Sequence, residues 1–295
     1  MAEPAHRSGH VVIVGRPSVG KSTLLNALVG ARISITSRKP QTTRHRVAGI
    51  CTESGAQVVF VDTPGFQTRE ASKLNARLNR AVRDALTDVD AVVFVVDATR
   101  ITEADRAVLA LVPASVPTIA VLNKIDAVKD KRSLLPRIAE LAKLREFAAI
   151  VPVSAEQGTD LPALLKTIAS LLPEGPALYD GDALTDRDER FLAGEFLREK
   201  IFRLLGDEVP YSTAVMIDSF EQEGDLRRIR ATVLVDKPGQ RAILVGRDGA
   251  RMKEIATKAR ADMETLFGGK VFLDVWVRVK SGWANSDSML TRLGY

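Results

Sequence analysis

Residues 10–172 alternate short, nearly continuous apolar runs with amphipathic stretches. The runs 11–14, 58–61, 91–96, 118–122 and 150–153 are rich in Val and Ile. They lack the polar-at-every-second-position pattern of a half-exposed strand, so they read as strands buried on both faces. Between most of them, residues 22–29, 74–86, 103–111, 134–144 and 161–171 carry helix-like patterns. Strand–helix alternation predicts an α/β domain with a mostly parallel sheet flanked by helices. A ligand then belongs at the carboxyl ends of the strands.

The texture changes at 172–188, L-P-E-G-P-A-L-Y-D-G-D-A-L-T-D-R-D, whose Pro, Gly and Asp mark a linker. Thr185 and Asp188 are spaced like a capping box opening a helix. On that helix Ala193, Leu197, Ile201 and Leu204 share a face. Two alternating strands follow. In the second, Ile229, Ala231, Val233 and Val235 face one way, and Arg228, Arg230, Thr232 and Leu234 the other. Val271, Leu273, Val275, Val277 and Val279 make a third. This predicts a smaller α+β domain, with boundaries at 1–173, linker 174–188 and 189–295. No internal repeat or low-complexity tract interrupts either part.

Composition narrows the setting. The 295 residues suffice for two domains of roughly 100–200 residues each. No window approaches the ~18 apolar residues of a membrane span. Residues 1–10 have no apolar h-region, so no secretory signal is expected. Cys51 is the single cysteine, so no intramolecular disulfide forms and a cytoplasmic setting fits. His6, His10 and His45 have no metal-ligand spacing. The segment 237–295 holds 11 Lys and Arg against 6 Asp and Glu, so the whole net charge of +5 lies there. A basic end suits a polyanion, either nucleic acid or an anionic membrane surface.

The chemistry sits at the strand ends. Gly15, Arg16, Pro17, Ser18, Val19, Gly20, Lys21 and Ser22 read G-R-P-S-V-G-K-S between a strand and a helix. That is the phosphate-binding loop pattern in its required context. The glycines let backbone N–H groups turn toward phosphate oxygens, and the helix start adds its dipole. Lys21 supplies charge for the β- and γ-phosphates, and Ser22 a hydroxyl for Mg²⁺. Asp62, Thr63, Pro64 and Gly65 follow the next buried strand. Asp62 sits where a carboxylate near Mg²⁺ is needed, and the Gly65 N–H can sense the γ-phosphate. Asn123, Lys124, Ile125 and Asp126 follow another strand. The Asp126 carboxylate can accept from guanine's ring N–H and exocyclic amine, a donor pair adenine lacks. Ser154 and Ala155 can close over the base.

Residues 34–46, S-I-T-S-R-K-P-Q-T-T-R-H-R, form a polar basic loop with Pro40. A GTPase needs a threonine there to complete the Mg²⁺ shell, and Thr43 is favoured over Thr42. The expected catalytic set is Lys21, Thr43 and Gly65. Phe66 stands where small Ras-like switches carry a water-orienting glutamine. Slow intrinsic turnover follows, resting on charge stabilisation, bound ions or a group from a partner.

Together with D-T-P-G-F and N-K-I-D, these loops resemble the Era GTPases of bacteria over nearly the whole chain after residue 8. The resemblance extends to V-G-R-D-G at 245–249 and V-W-V-R-V-K-S-G-W near the end. It implies a type II K-homology (KH) domain after the G domain, binding of the 3′ end of small-subunit (16S) ribosomal RNA, and a role in 30S subunit maturation. Era loops commonly carry asparagine where this chain has Ser18, and in related GTPases it helps hold K⁺. The shorter serine fits that role poorly, so Mg²⁺ with GTP or GDP is the expected ligand set.

In the KH reading, Gly246, Arg247, Asp248 and Gly249 form the G-x-x-G loop, a clamp gripping about four nucleotides. Arg251 and Lys253 add charge nearby, and Lys270, Arg278 and Lys280 extend the track. Of the two tryptophans, Trp283 in the basic tail is the expected base-stacking residue, and Trp276 is expected to pack against a helix. A monomer is expected. The alternative reading is a signalling GTPase with a basic docking domain in peripheral contact with the membrane. A P-loop ATPase is opposed by Asp126.

Overall fold

Among the described residues, six strands and five α-helices order the first part of the chain. They are β1 (Arg7–Val14), α1 (Lys21–Val29), β2 (Val47–Glu53), β3 (Ala56–Asp62), α2 (Lys73–Ala85), β4 (Ala91–Asp97), α3 (Glu103–Leu109), β5 (Thr118–Asn123), α4 (Leu134–Ala142), β6 (Ala149–Pro152) and α5 (Leu161–Leu171). The computed structural model describes residues 6–37, 39–53, 55–66, 72–206 and 208–295. The chain divides into two units. The first comprises Met1–Ser34, Thr43–Glu70 and Arg77–Asp186, the second Ile35–Thr42, Ala71–Ala76 and Arg187–Tyr295.

In the first unit the sheet order is β2-β3-β1-β4-β5-β6. All neighbours are parallel except β2 and β3. Every residue of β4 and β5 is buried, as helices on both faces require. On one face Val12, Val14, Val92, Phe94, Val96, Ala120 and Leu122 form a core with Val82, Val108 and Leu141 of the helices. Register then decides function: Ile13 pairs with Asp62, Val14 with Phe94, and Asp97 with Asn123. The tips of β1, β3, β4 and β5 therefore finish along one edge of the sheet.

The apolar pattern did not predict β2, the antiparallel edge strand. Gly49 interrupts it, and its outer end is polar. The glycine is needed, because a Cβ there would lie 2.6–2.9 Å from side-chain atoms of Leu25, Ile33 and Val29. The stretch after α5 is laid against the same sheet. Gln57 Oε1 accepts from the N–H groups of Leu178 and Tyr179 (2.7 and 2.9 Å), and Ile50 N–H donates to Leu184 O (2.9 Å). Thr185 does not open a capping box. Its hydroxyl donates to Ala48 O (2.7 Å), and Asp188 is itself the N-cap, accepting from Phe191 N–H (2.8 Å).

The second unit contains α6 (Glu189–Leu204), β7 (Thr213–Glu223), β8 (Leu226–Val235), α7 (Pro238–Val245), α8 (Ala250–Phe267), β9 (Lys270–Val279) and α9 (Asp287–Arg292). The sheet order is β7-β8-β9. β7 and β8 form an antiparallel hairpin, bulged between Ile217 and Ser219. α7 and α8 carry the chain over to β9, parallel to β8. Ile229, Ala231, Val233 and Val235 of β8 pack with Phe196, Leu197 and Ile201 of α6 and Ile255, Ala259 and Met263 of α8. α6 is buried on more sides than its four apolar positions suggested, because its charges are paired. Arg198 donates to both Glu195 carboxylate oxygens (2.8 and 2.6 Å), and Lys200 pairs with Glu199 and Asp262.

Candidate nucleotide site and nucleic-acid interface

The loop after β1 is held by its own lysine. Lys21 is buried, and its Nζ donates to the carbonyls of Gly15 (3.0 Å) and Arg16 (3.2 Å). Burial lowers its pKa to about 8, a shift that Arg16 assists and Asp62 opposes. The Arg16 side chain braces the loop. Its Nε donates to Asp105 (3.1 Å), which also accepts from the Thr102 N–H and hydroxyl at the start of α3. Gly65 abuts Pro17, where a Cβ would come within 2.9 Å of the proline Cα. Phe66 packs against the sheet core, with the Arg83 guanidinium 5.8 Å from its ring centroid. It offers no polar group to a water.

Beside the loop four oxygen-bearing side chains converge. Ser22 Oγ donates to Asp62 Oδ2 (2.6 Å) and lies 2.7 Å from Thr43 Oγ1. Ser34 Oγ also donates to Asp62 Oδ2 (2.9 Å). Asp62 is fully buried, and its Oδ1 has no hydrogen-bond partner. Burial raises its pKa, against the Lys21 charge and the hydroxyl bonds. A buried carboxylate oxygen without a partner is costly unless a cation or donor meets it. Hydroxyls and a carboxylate are hard donors, so the set fits Mg²⁺. Thr42 is engaged elsewhere, donating to Lys39 O (2.7 Å) and bonded to Ser37 Oγ (2.5 Å). The sequence reading missed Asn26, whose Oδ1 accepts from Ile33 and Ser34 N–H and whose Nδ2 donates to Ser34 O. It holds Ser34 beside Asp62. An asparagine facing inward from the first helix after the loop was the available signal.

The guanine motif is fastened to the phosphate loop. Asn123 Nδ2 donates to Val19 O (2.9 Å), and its Oδ1 accepts from Ala155 N–H (3.0 Å). Lys124 Nζ donates to Ser18 O (2.6 Å) and to Asp97 (2.8 Å). Burial pushes the Asp97 carboxyl up, but its bonds from Lys124 and Thr99 outweigh this and hold it below the usual range. Ile125 N–H donates to Val153 O. Ser154, buried, donates to Asp126 Oδ1 (2.5 Å) and aims an otherwise exposed carboxylate. The sequence motifs around Asp62, Thr63, Asn123 and Ser154 thus meet at one sheet edge, with Thr63 Oγ1 donating to Ile13 O (2.9 Å).

In the second unit Gly246, Asp248 and Gly249 all have positive φ (74°, 51° and 76°). At Gly246 a Cβ would meet that of Arg251 at 2.6 Å, while Gly249 opens onto free space. The Arg247 and Asp248 side chains are 97% and 94% exposed. Arg251 and Lys253 stand exposed on the first turn of α8. The Arg241 Nε bond to Val277 O (3.3 Å) ties α7 to the edge strand β9, and Ile243 and Val279 are exposed apolar residues on those elements.

The predicted track does not stay together. Lys270 follows the C-terminus of α8, an 18-residue helix about 27 Å long, whereas the G-x-x-G loop precedes its N-terminus. Arg278 lies on the sheet face turned away from the helices, and Lys280 follows the end of β9. The tryptophan expectations are reversed. Trp283 is fully buried, with Nε1 donating to Ser212 O (3.0 Å), and cannot stack on a base there. Trp276 is 61% exposed.

Among the described residues no helix is long and apolar enough to cross a membrane. Residues 10–124 match the family described as 50S ribosome-binding GTPase, and 208–284 match the KH domain. The chain is similar to GTPase Era of Nitrosomonas eutropha, 52% identical over 295 residues and covering 100% of both chains. It is 53% identical to GTPase Era of Chromobacterium violaceum over 294 residues, covering 100% of this chain and 99% of that one. Its fold is similar to that of Era in complex with MgGDPNP and nucleotides 1506–1542 of 16S ribosomal RNA, with TM-score 0.95, 37% identity and coverage of 98% and 99%. It is also similar to a point variant of Aquifex aeolicus Era bound to GDP·AlF₄⁻, with TM-score 0.94, 38% identity and the same coverage.

Proposed function

Since this chain belongs to the Era GTPase family, a GTPase that hydrolyses GTP to GDP and phosphate, we propose that it times assembly of the small ribosomal subunit by binding the 3′ end of 16S ribosomal RNA. The observation that carries this is the pairing, in one chain, of a complete guanine-nucleotide site with a G-x-x-G clamp whose arginine points to solvent. The relative that holds nucleotides 1506–1542 of 16S ribosomal RNA supports the RNA assignment. That segment is far longer than the about four nucleotides one clamp grips.

In the nucleotide site, Asp126 and Ser154 select guanine and Lys21 meets the β- and γ-phosphates. Ser22 and Thr43, with Asp62, hold Mg²⁺, which supplies charge neutralisation between the phosphates when bound. The Gly65 N–H reports the γ-phosphate. Phe66 leaves the attacking water without a side-chain partner, so intrinsic turnover is slow. Ser18 gives K⁺ no asparagine ligand and, being shorter, fits that role poorly.

Nucleotide state is read through residues 34–46. Thr43 answers to the first unit, whereas Thr36 N–H donates to Glu199 Oε1 (2.9 Å) and Arg203 Nε donates to Thr36 O (2.8 Å) within the second. Of the other loop, 65–72, residues 67–71 lie outside the described residues. Equal RNA affinity with GDP and with a GTP analogue would overturn this coupling.

The reading places the protein in the cytoplasm as a monomer, with any membrane contact peripheral. The test is crosslinking to RNA in cells, with sequencing, for the wild type and Gly249→Asp. Reads concentrated at the 3′ end of 16S ribosomal RNA and lost in the variant are expected. Scattered reads indifferent to the variant would favour the membrane-signalling reading, which cosedimentation with anionic vesicles would then test.

A further inference from the structure

The second unit covers one face of its sheet with α6 and α8 and leaves part of the other bare. On the bare face β9 carries Phe272 and Trp276, 52% and 61% exposed. Among the described residues they are the exposed Phe and Trp of the chain. Four residues apart on one strand, the two rings are spaced about 13 Å. Neither contributes to the core, whose β9 members are the odd-numbered residues from Val271 to Val277. Folding alone gives no reason to place two large rings in water at these positions.

Their surroundings are basic. Register sets Arg228 beside Phe272, Arg230 beside Asp274, and Arg278 two residues beyond Trp276. The Arg228 guanidinium lies 5.8 Å from the Phe272 ring centroid. A cleft around Phe272 adds Lys270 and Arg260, the latter with Glu264 beside it at 3.9 Å. The acids on this side are engaged. Glu223 pairs with Arg228 (2.9 Å), Glu264 accepts from Val271 N–H (3.2 Å), Asp218 accepts from the Thr232 hydroxyl (2.7 Å), and Asp274 accepts from Trp276 Nε1 (3.1 Å), which steadies the indole. Exposed aromatic faces beside arginines accept planar bases on the rings and phosphates on the guanidinium groups.

We propose that the open face of β8 and β9, centred on Phe272 and Trp276, is a second single-stranded RNA site, separate from the G-x-x-G clamp, on which two bases stack. The proposal rests on the RNA-binding reading above and deepens it. It accounts for nucleotides beyond the few that the clamp holds. It also explains why Lys270 and Arg278 lie away from the clamp: they serve this face.

The test is fluorescence anisotropy of the full-length protein with two labelled single-stranded RNAs, one of about four nucleotides, enough for the clamp, and one of about twenty. The double variant Phe272→Ala/Trp276→Ala is expected to weaken the long strand at least about fivefold, the loss of one stacked base or more. The short strand and GTP turnover should be unchanged. Phe272→Tyr/Trp276→Phe should keep the long-strand affinity, because the rings remain. Unchanged long-strand affinity in the alanine variant, or an equal loss for both strands, would overturn the proposal. If the unaltered protein bound neither strand, the RNA-binding reading itself would fall and take this inference with it.

Discussion

Asn123 donates its side-chain amide to the carbonyl of Val19 at 2.9 Å, so the guanine-recognition segment is bolted to the phosphate loop. Its Oδ1 holds Ala155 N–H at the same time. Gly20 permits this, since a Cβ there would lie 2.4 Å from Asn123 Nδ2, on a backbone with φ near 100°. Asn123→Ala removes two hydrogen bonds and should weaken GDP and GTP binding by about 5–100-fold. Gly20→Ala should weaken both likewise, by displacing the amide. Isothermal titration of each variant with both nucleotides checks this.

Thr43 meets Ser22 at 2.7 Å and lies 3.5 Å from Asp62, the position from which it can join a Mg²⁺ shell. Thr43→Ala should slow GTP hydrolysis by about 10–100-fold, the usual cost of losing a partner around a metal site. GDP affinity should change little. Thr42→Ala should leave hydrolysis near wild type, because its hydroxyl serves Ser37 and Lys39. Single-turnover hydrolysis at saturating Mg²⁺ separates the two.

Lys21 gives the nucleotide site a pH dependence. Without nucleotide it loses its proton near pH 8, and bound phosphate favours the charged form. Above pH 8 binding must therefore take up a proton, and affinity should fall toward about tenfold per pH unit, while below pH 7 Lys21 adds no pH dependence. Calorimetric titrations in buffers of different ionisation enthalpy read the proton directly. For the nucleotide-free chain the sign is opposite. Between pH 8 and the ordinary value of 10.5 the folded state binds fewer protons than the unfolded one, so this group's contribution to stability grows as pH rises.

Asp126 is exposed but aimed by a buried serine. Asp126→Asn should lower affinity for GTP and raise it for xanthosine triphosphate, whose edge presents an acceptor in place of the exocyclic amine. Ser154→Ala should cost about tenfold in GTP affinity through loss of one bond to a charged group, with guanine still preferred over adenine. Competition binding with the three nucleotides decides both.

The two tryptophans should separate stability from binding. Trp283→Ala empties a fully buried site and removes the bond to Ser212 O. It should destabilise the second unit by about 3–5 kcal/mol, visible as an earlier transition in chemical denaturation. Trp276→Ala should leave that transition in place.

The nucleotide motifs were legible from the chain because each is a contiguous run whose own backbone does the work. A strand, a glycine turn and a helix start need no distant partner to be recognised, and N-K-I-D is a contiguous run of four residues. The G-x-x-G loop was legible for the same reason. Strand parity puts Trp276 on the face opposite Val275 and Val277, but the sequence reading expected it to pack against a helix, as an aromatic on a sheet more often does.

Tertiary packing decided what depends on residues far apart in sequence. Nothing near Trp283 marks it as buried, since its burial comes from the fold around it and from Ser212. Nothing near Lys270 says that α8 carries it away from the clamp. The Asn26–Ser34–Asp62 chain, the Arg16–Asp105 brace and the Ser22–Thr43 contact are pairings across the fold. A local pattern reports which backbone a segment adopts and which of its faces is apolar. Which groups lose their water together, and so must find one another, is settled only when the segments pack.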